Sequence, residues 1–206
     1  MTIRLVGSTS GYTEIDAPAV AGSNTLVLPT GNGSADQALV TNGSGTLSFA
    51  DRGRMVLETA QATTSGTSKD FTGIPSWVKR VTVIFSGVST NGTSNLLIQI
   101  GAGSITTSGY ASSSGSIAAA AAASTAGFIQ SQNIAAASLY CGTSQIFLVS
   151  GNTYANSGLL STTTASFNFI SGGNITLSGT LDRVRITTVN GTDTFDAGSI
   201  NILYEG

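Results

Sequence analysis

The feature that most constrains this fold is the way glycine, serine and threonine interrupt every stretch in which an α-helix could propagate. The chain has 206 residues, of which 26 are glycine. Each interior glycine costs a helix roughly 1 kcal/mol relative to alanine. The best helical candidate is residues 117–123, but seven residues are too few to hold an isolated helix. We interpret this alanine run as a tight strand or a loop, with a short helix as the alternative.

Alternation of apolar and polar residues predicts β-strands along much of the chain. In residues 78–88 the pattern places Val81, Val83 and Phe85 on one face, together with Trp77. Between the apolar runs, Asn-Gly dipeptides favour tight hairpin turns because they accept positive φ. The fold class is therefore all-β. Further strands are predicted at residues 96–100, 145–150, 165–170, 174–177, 181–189 and 200–205.

The composition changes near residues 51–54, which predicts a boundary between two parts. Residues 1–52 have few large apolar side chains, and these occur in short clusters separated by glycine-rich turns. Such a segment cannot bury enough apolar surface alone. We predict that residues 1–52 form an intertwined fibrous β segment shared between copies. Residues 53–206 have enough strands for a β-sandwich of the jelly-roll kind.

Charge and residue usage argue against several classes of function. Charged residues make up 9% of the chain, against roughly 25% in a typical soluble domain. With a net charge of -2, the chain has little attraction for nucleic acid or anionic lipid. Histidine is absent, which removes the commonest general base and transition-metal ligand. The single cysteine, Cys141, excludes an intrachain disulfide and is interpreted as a small buried apolar residue.

We expect neither catalysis nor a cofactor. Glycosidases generally need two carboxylates beside the bond, and residues 101–173 contain no acid. Asp193 and Asp196, with Asn190, offer few of the oxygens that calcium needs, so turn capping is the simpler interpretation. Asp182, Arg183 and Arg185 are interpreted as interface pairs or as solvated charges at a strand end.

No secretory signal and no apolar run long enough to span a membrane is present. We therefore expect synthesis in a cytosol without membrane insertion.

Two parts of the sequence resemble bacteriophage virion proteins. Residues 25–49 show an apolar strand, a proline, a glycine-rich turn, Asp-Gln, a second strand, Asn-Gly-Ser-Gly and a third strand ending in Phe49. This pattern is similar to a module of phage tail fibres. Residues 71–83 and 181–201 resemble the opening and the closing segments of C-terminal domains in phage minor structural and tail-fibre proteins, such as short fibres of cyanophages.

The resemblance implies a homotrimer on the exterior of a virion. Residues 1–52 would attach to other tail or baseplate proteins, and residues 53–206 would face outward as the tip. A capsid decoration or tail-collar protein that binds no host is the alternative.

Residues 101–173 lie between the two segments that resemble phage proteins, and we interpret them as the part that varies within such proteins. We predict that host-surface glycan binding lies there. Aromatic side chains on loops can stack on sugar rings while neighbouring amides bind the hydroxyls. We expect Tyr110 and Tyr154 to be exposed in this way, with Asn152 and Asn156 as the nearby amides. Trp77, at the start of the strongest strand, is assigned a core or interface role rather than a sugar platform.

Overall fold

The computed structural model describes residues 3–20, 22–35, 37–51, 53–116, 119–132, 135–136, 138–163 and 167–206. The chain divides into two compact units, Met1–Arg52 and Gly53–Gly206. The described residues form strands and turns without any helix, which confirms the predicted all-β class. Accordingly, none of them belongs to a helix long and apolar enough to cross a membrane.

The first unit consists of two separate antiparallel hairpins. The strands β1 (Ile3–Val6) and β2 (Tyr12–Ile15) pair with each other, and β3 (Gln37–Thr41) pairs with β4 (Leu47–Asp51). The turn between β3 and β4 uses the predicted Asn42-Gly43, where Gly43 has a φ of 83°. No described residue of this unit is buried. Two-stranded hairpins of this kind lack the packed layer that stabilises a sheet in water.

The second unit contains fourteen strands. They are β5 (Met55–Leu57), β6 (Gln61–Ala62), β7 (Lys69–Thr72), β8 (Arg80–Thr90), β9 (Leu96–Ala102), β10 (Ser104–Ile105), β11 (Ala111–Ser116), β12 (Ala119–Ser124), β13 (Phe128–Ile129), β14 (Tyr140–Ser150), β15 (Thr153–Thr162), β16 (Asn168–Thr176), β17 (Arg183–Thr188) and β18 (Phe195–Glu205).

These strands form a large and a small antiparallel sheet. The large sheet has nine strands in the order β12-β11-β16-β15-β14-β8-β18-β5, with β6 also paired to β18. The small sheet has five strands in the order β10-β9-β17-β7, with β13 also paired to β9. Their inner faces contribute to one apolar core, in which Val83 and Ile202 from the large sheet and Ile98 and Ile186 from the small sheet are fully buried. The second unit therefore has its own core.

Predictions based on apolar alternation are confirmed in the strands that flank this core. In β8 the side chains of Val81, Val83 and Phe85 are buried, and in β17 Val184 and Ile186 are buried while the two arginines are half-buried. The alanine run forms β12 over its described part; Ile117 lies outside the described residues. The predicted strands at 165–170 and 174–177 are one strand, β16, and Ala165 also lies outside the described residues.

The middle of the chain contains more strand than the sequence predicted. Residues 101–173 contain most of five strands of the large sheet, and β14, β15 and β16 are nine to eleven residues long. Their inward positions alternate with outward ones, but many of the inward residues are polar or glycine. In β15, for example, Asn156 and Thr162 are buried on the same face as Tyr154 and Leu160. The alternation of apolar residues in the sequence is therefore too weak to predict these strands in full.

Candidate host-contact and self-association surfaces

Tyr110 is buried, which contradicts its predicted exposure on a glycan-binding loop. Only 2% of the residue is accessible, and its ring packs edge-on against Phe128 with the ring centroids 5.0 Å apart. The Ile100 amide donates to the Tyr110 hydroxyl at 2.8 Å, and carbonyl oxygens of Ile100 and Thr106 lie 3.1 Å from it as acceptors. Burial raises the pKa of this hydroxyl to about 12. Tyr110 is thus a structural residue that ties β9 to the loop after β10.

Tyr154 and Asn156 are also buried, because both point from β15 into the core. The Leu181 amide donates to the Tyr154 hydroxyl at 3.1 Å, which joins β15 to the loop before β17. Asn156 donates through Nδ2 to Ser144 Oγ at 2.8 Å and to the Gln145 carbonyl oxygen at 3.0 Å. These bonds occupy the groups that a sugar would need. The predicted exposure of Tyr154 and the availability of the Asn156 amide are therefore wrong.

A buried polar network surrounds Asn156, and sequence reasoning did not predict it. Gln130 donates from Nε2 to Asn156 Oδ1 at 3.3 Å, and Ser171 donates to Gln130 Oε1 at 3.0 Å. Gln130, Ser144 and Ser171 are buried along with Asn156. Buried amides need such partners because unpaired polar groups are costly in a core. The sequence carries no clear signal for this network, because polar residues occur at consecutive positions in β14 and β15.

Asn152 is half-buried in the turn between β14 and β15. Its carbonyl oxygen accepts a hydrogen bond from the Leu177 amide at 2.9 Å. Of the four residues predicted to bind glycan, this is the one whose side chain the fold leaves partly accessible. The structure does not bring the four together into one exposed site.

Exposed polar groups concentrate in the turns at one end of the second unit. Asn190 Oδ1 accepts from the amides of Thr192 and Asp193 at 3.0 and 3.2 Å, while Asp193 Oδ2 accepts from the Ser94 amide at 2.8 Å. Asn91 Oδ1 similarly accepts from the Thr194 amide. These bonds support turn capping by Asn190 and Asp193, whereas Asp196 lies in β18 and accepts from the Ser89 hydroxyl of β8. Within the described ranges no three His, Cys, Asp or Glu side chains are grouped as a metal site would require.

The charged side chains near β17 pair within the chain. Arg183 donates to the carboxylate of Asp182, and this hydrogen bond holds the Asp182 pKa below its usual value. Arg185 forms a two-bond contact with Asp70 across the pairing of β17 and β7. Both arginines lie on the outer face of the small sheet. Both contacts are therefore partly solvated ion pairs, and the Arg185–Asp70 pair links β17 to β7.

A surface groove of about 540 Å³ lies at the start of the second unit. Its lining includes Arg54, Lys79, Arg80 and Phe147, and Glu205 pairs with Arg80. Trp77 stands beside it. The Trp77 ring is half-buried and packs against Tyr204 at 5.7 Å between centroids, and the Arg54 guanidinium lies 5.2 Å from its centre. This supports a packing role for Trp77.

Cys141 is half-buried and not part of the core. Its sulfur accepts a weak hydrogen bond from the Gly87 amide at 3.3 Å. The residue lies at a bulge in the pairing of β14 with β8. The prediction of a fully buried apolar cysteine is therefore wrong, because the bulge turns the side chain towards the backbone of β8.

The most unusual surface belongs to the first unit, where large apolar side chains are exposed along the chain. Val20, Val6 and Leu28 have 93%, 76% and 71% of their surface accessible. Seven other large residues of this unit are more than half exposed: Ile3, Leu5, Tyr12, Ile15, Leu26, Val27 and Leu39. Soluble monomers rarely expose so many neighbouring apolar residues, and such surfaces mark association sites.

Comparison with protein-family models, with curated proteins and with solved structures finds no match to this chain.

Proposed function

We propose that the chain is the subunit of a bacteriophage virion fibre that assembles as a homotrimer through residues 1–52. The observation that carries this proposal is the first unit's lack of any buried residue in its described part, together with its exposed apolar side chains. Burying one such side chain contributes roughly 1.5–3 kcal/mol. Several copies that share their hairpins gain this free energy repeatedly, whereas one copy leaves the side chains in water.

The low charge of the chain supports association between identical copies. With 8 basic and 10 acidic residues in 206, copies repel one another weakly. The Arg4–Glu14 pair joins β1 to β2 within one chain, so the charges of that hairpin are already matched. In this proposal residues 1–52 also attach the trimer to tail or baseplate proteins.

In the proposed fibre, residues 53–206 form the tip, a jelly-roll-like sandwich that contacts the host surface. Three linked tips convert weak binding of a surface glycan into strong attachment by multivalency. Because Tyr110, Tyr154 and Asn156 serve the core, the contact would use the polar turns after β8 and β17 instead. Asn152 lies at the opposite end of the large sheet from these turns. The proposal includes neither catalysis nor a cofactor, nucleic acid or inserted membrane segment.

The alternative function is a capsid decoration or tail-collar protein that binds no host. One observation favours it: the aromatic residues predicted to stack on sugars are buried, with Tyr110 only 2% and Tyr154 4% accessible. In that role the trimer would stabilise the particle through protein contacts alone.

Two measurements test the proposal. Light scattering of the purified chain at micromolar concentration should give the mass of a trimer, and a folded monomer with an ordered first unit would overturn the fibre assignment. Electron microscopy of virions labelled with an antibody to residues 53–206 should show the label on projecting fibres. A glycan array with the purified protein then separates the two functions, because the decoration protein gives no signal on host polysaccharide.

A further inference from the structure

The outer face of the nine-stranded sheet is broad and almost free of charge, with aliphatic residues set among uncharged polar ones. Ile170, Leu159, Thr143 and Ile84 are successive cross-strand partners in β16, β15, β14 and β8. Leu159 is 54% and Ile170 is 64% exposed. We call this surface the large-sheet face. Two further rows of cross-strand partners run beside this row on the same face. The adjoining row, which contains Leu57 and Leu203, has no charged side chain among its described residues.

The charges on the large-sheet face are confined to one margin. Arg80 and Glu205 are cross-strand partners in β8 and β18 and form an ion pair with each other. No other charged side chain projects outward from the described paired positions of this sheet. The exposed residue Met55 adjoins Glu205 at this margin.

The outer face of the small sheet provides an internal comparison. There Arg183 and Arg185 project outward, with Asp182 and Asp70 beside them as ion-pair partners. The chain thus has two outward sheet faces. One carries ion pairs that suit contact with water, and the other carries mainly aliphatic, hydroxyl, amide and glycine residues. An antiparallel sheet with a solvated face alternates apolar inward and polar outward residues. The large-sheet face departs from that pattern where Leu159 and Ile170 meet.

We propose that the large-sheet face packs against a second copy of this chain in the assembled protein. A neutral face matches another neutral face, whereas a charged partner would lose its hydration and find no opposite charge to pair with. The occupant is therefore a neighbouring copy of this weakly charged chain rather than an acidic or basic macromolecule.

The chain connection favours the same occupant. The edge strand β5 starts at Met55, directly after the boundary between the units at Arg52 and Gly53. When copies are joined through their first units, their second units stay close together, because only a few residues separate each second unit from the joined segment. This closeness raises the effective concentration of one large sheet for another to the millimolar range. The inference rests on the proposed association of residues 1–52 for this step only.

The test is a labelling experiment on the full chain in a Cys141→Ser background. Leu159→Cys and Ile170→Cys each place a single thiol on the large-sheet face, and Val189→Cys places one in the turn that follows β17. Val189 is the matched control because it is 48% exposed, against 54% for Leu159. Maleimide labelling rates and the mass by light scattering are measured on the same samples.

The expected result is an oligomer in which the thiols at positions 159 and 170 react at least about tenfold more slowly than the thiol at 189. An oligomer in which all three react at similar rates overturns the inference and leaves the fibre proposal standing. A monomer with slow labelling at 159 and 170 shows that the chain covers its own face and overturns the inference. A monomer with fast labelling at every position overturns both.

Discussion

Arg185 and Asp70 form a two-bond ion pair in which both N–O distances are 2.7 Å, and the pair joins the edge strand β7 to β17. The nearby carboxylate raises the pKa of Arg185 through this hydrogen bond, so the arginine stays charged. The side chains are 34% and 39% exposed, which means that water screens much of the attraction. The pair therefore fixes the position of β7 and contributes modestly to stability.

Replacing Asp70 tests how much the ion pair contributes to the free energy of unfolding. Asp70→Asn should lower the free energy of unfolding by at most about 1 kcal/mol, because exposed pairs are weak. Urea unfolding at low and at roughly 1 M salt measures it, since salt screens the pair in the wild type and has little to screen in the variant. Arg185→Met and the double variant complete the cycle. A loss of several kcal/mol that salt leaves unchanged would contradict a solvated pair.

The Tyr110 hydroxyl carries a larger share of stability because it is buried. Tyr110→Phe leaves the Ile100 amide without its acceptor, which should cost about 1–3 kcal/mol. Urea unfolding at neutral pH measures the loss. Tyr12→Phe is the control, since Tyr12 is 60% exposed in the first unit and should leave the unfolding of the second unit unchanged. Equal stability of Tyr110→Phe and wild type would show that the hydroxyl bonds contribute little.

The raised pKa of Tyr110 also predicts a dependence on alkaline pH. Its value rises from 10.0 to about 12 on folding because burial disfavours the phenolate. The unfolded chain therefore loses this proton first, and stability falls as pH rises from about 10 towards 12. Unfolding free energies measured across that window should decline less steeply in Tyr110→Phe than in the wild type. Parallel profiles would assign the alkaline loss to other groups.

Sequence reasoning succeeded where the inward side chains are aliphatic and failed where they are polar. In β8 and β17 the buried positions are Val81, Val83, Val184 and Ile186, so the period of two is visible in hydrophobicity. In β11 the buried positions are Ser112 and Ser114, and a pattern of apolar residues cannot report them. The strands of the middle are set by long-range partners, which local composition does not encode.

The same limit explains the errors in the candidate site. Tyrosines flanked by serine, glycine and asparagine are typical of binding loops, and that composition predicted exposure. Here the flanking polar residues are themselves buried or paired, as Asn156 and Ser144 are with each other. Whether a polar residue faces water or a buried partner depends on the pairing register, which fixes the face of every side chain. The sequence of one strand does not contain that register.

A glycine pair at a bulge in the core sheet gives the sharpest test of the fold. Gly198 in β18 has a φ of 86°, and a Cβ there would lie 2.3 Å from the Gly87 carbonyl oxygen. Gly198→Ala should therefore cost more than the roughly 1–2 kcal/mol of a left-handed alanine alone, because backbone of β8 must move. Gly191→Ala is the matched control, since Gly191 has a φ of 69° and a Cβ there meets open space. Thermal unfolding of both variants separates the steric clash from the backbone strain. Equal losses of stability in the two variants would show that the bulge has room for a Cβ at position 198.

The lowered pKa of Asp182 predicts how the stability of the folded chain changes in acid. Hydrogen bonds from Arg183 and from the Gly103 amide hold the Asp182 pKa below 3.8 in the folded chain. The unfolded chain therefore takes up this proton first, and the stability that Asp182 contributes above its unfolded pKa is lost as pH falls through the lower folded value. Asp182→Asn should unfold at lower urea concentration than wild type at pH 7, with the difference shrinking at pH 3. Arg183→Met removes the main cause of the lowered pKa and should show the same trend more weakly, because the Gly103 bond remains. A difference between wild type and Asp182→Asn that stays constant from pH 7 to pH 3 would show that Asp182 acts through shape and hydrogen bonding rather than through its charge.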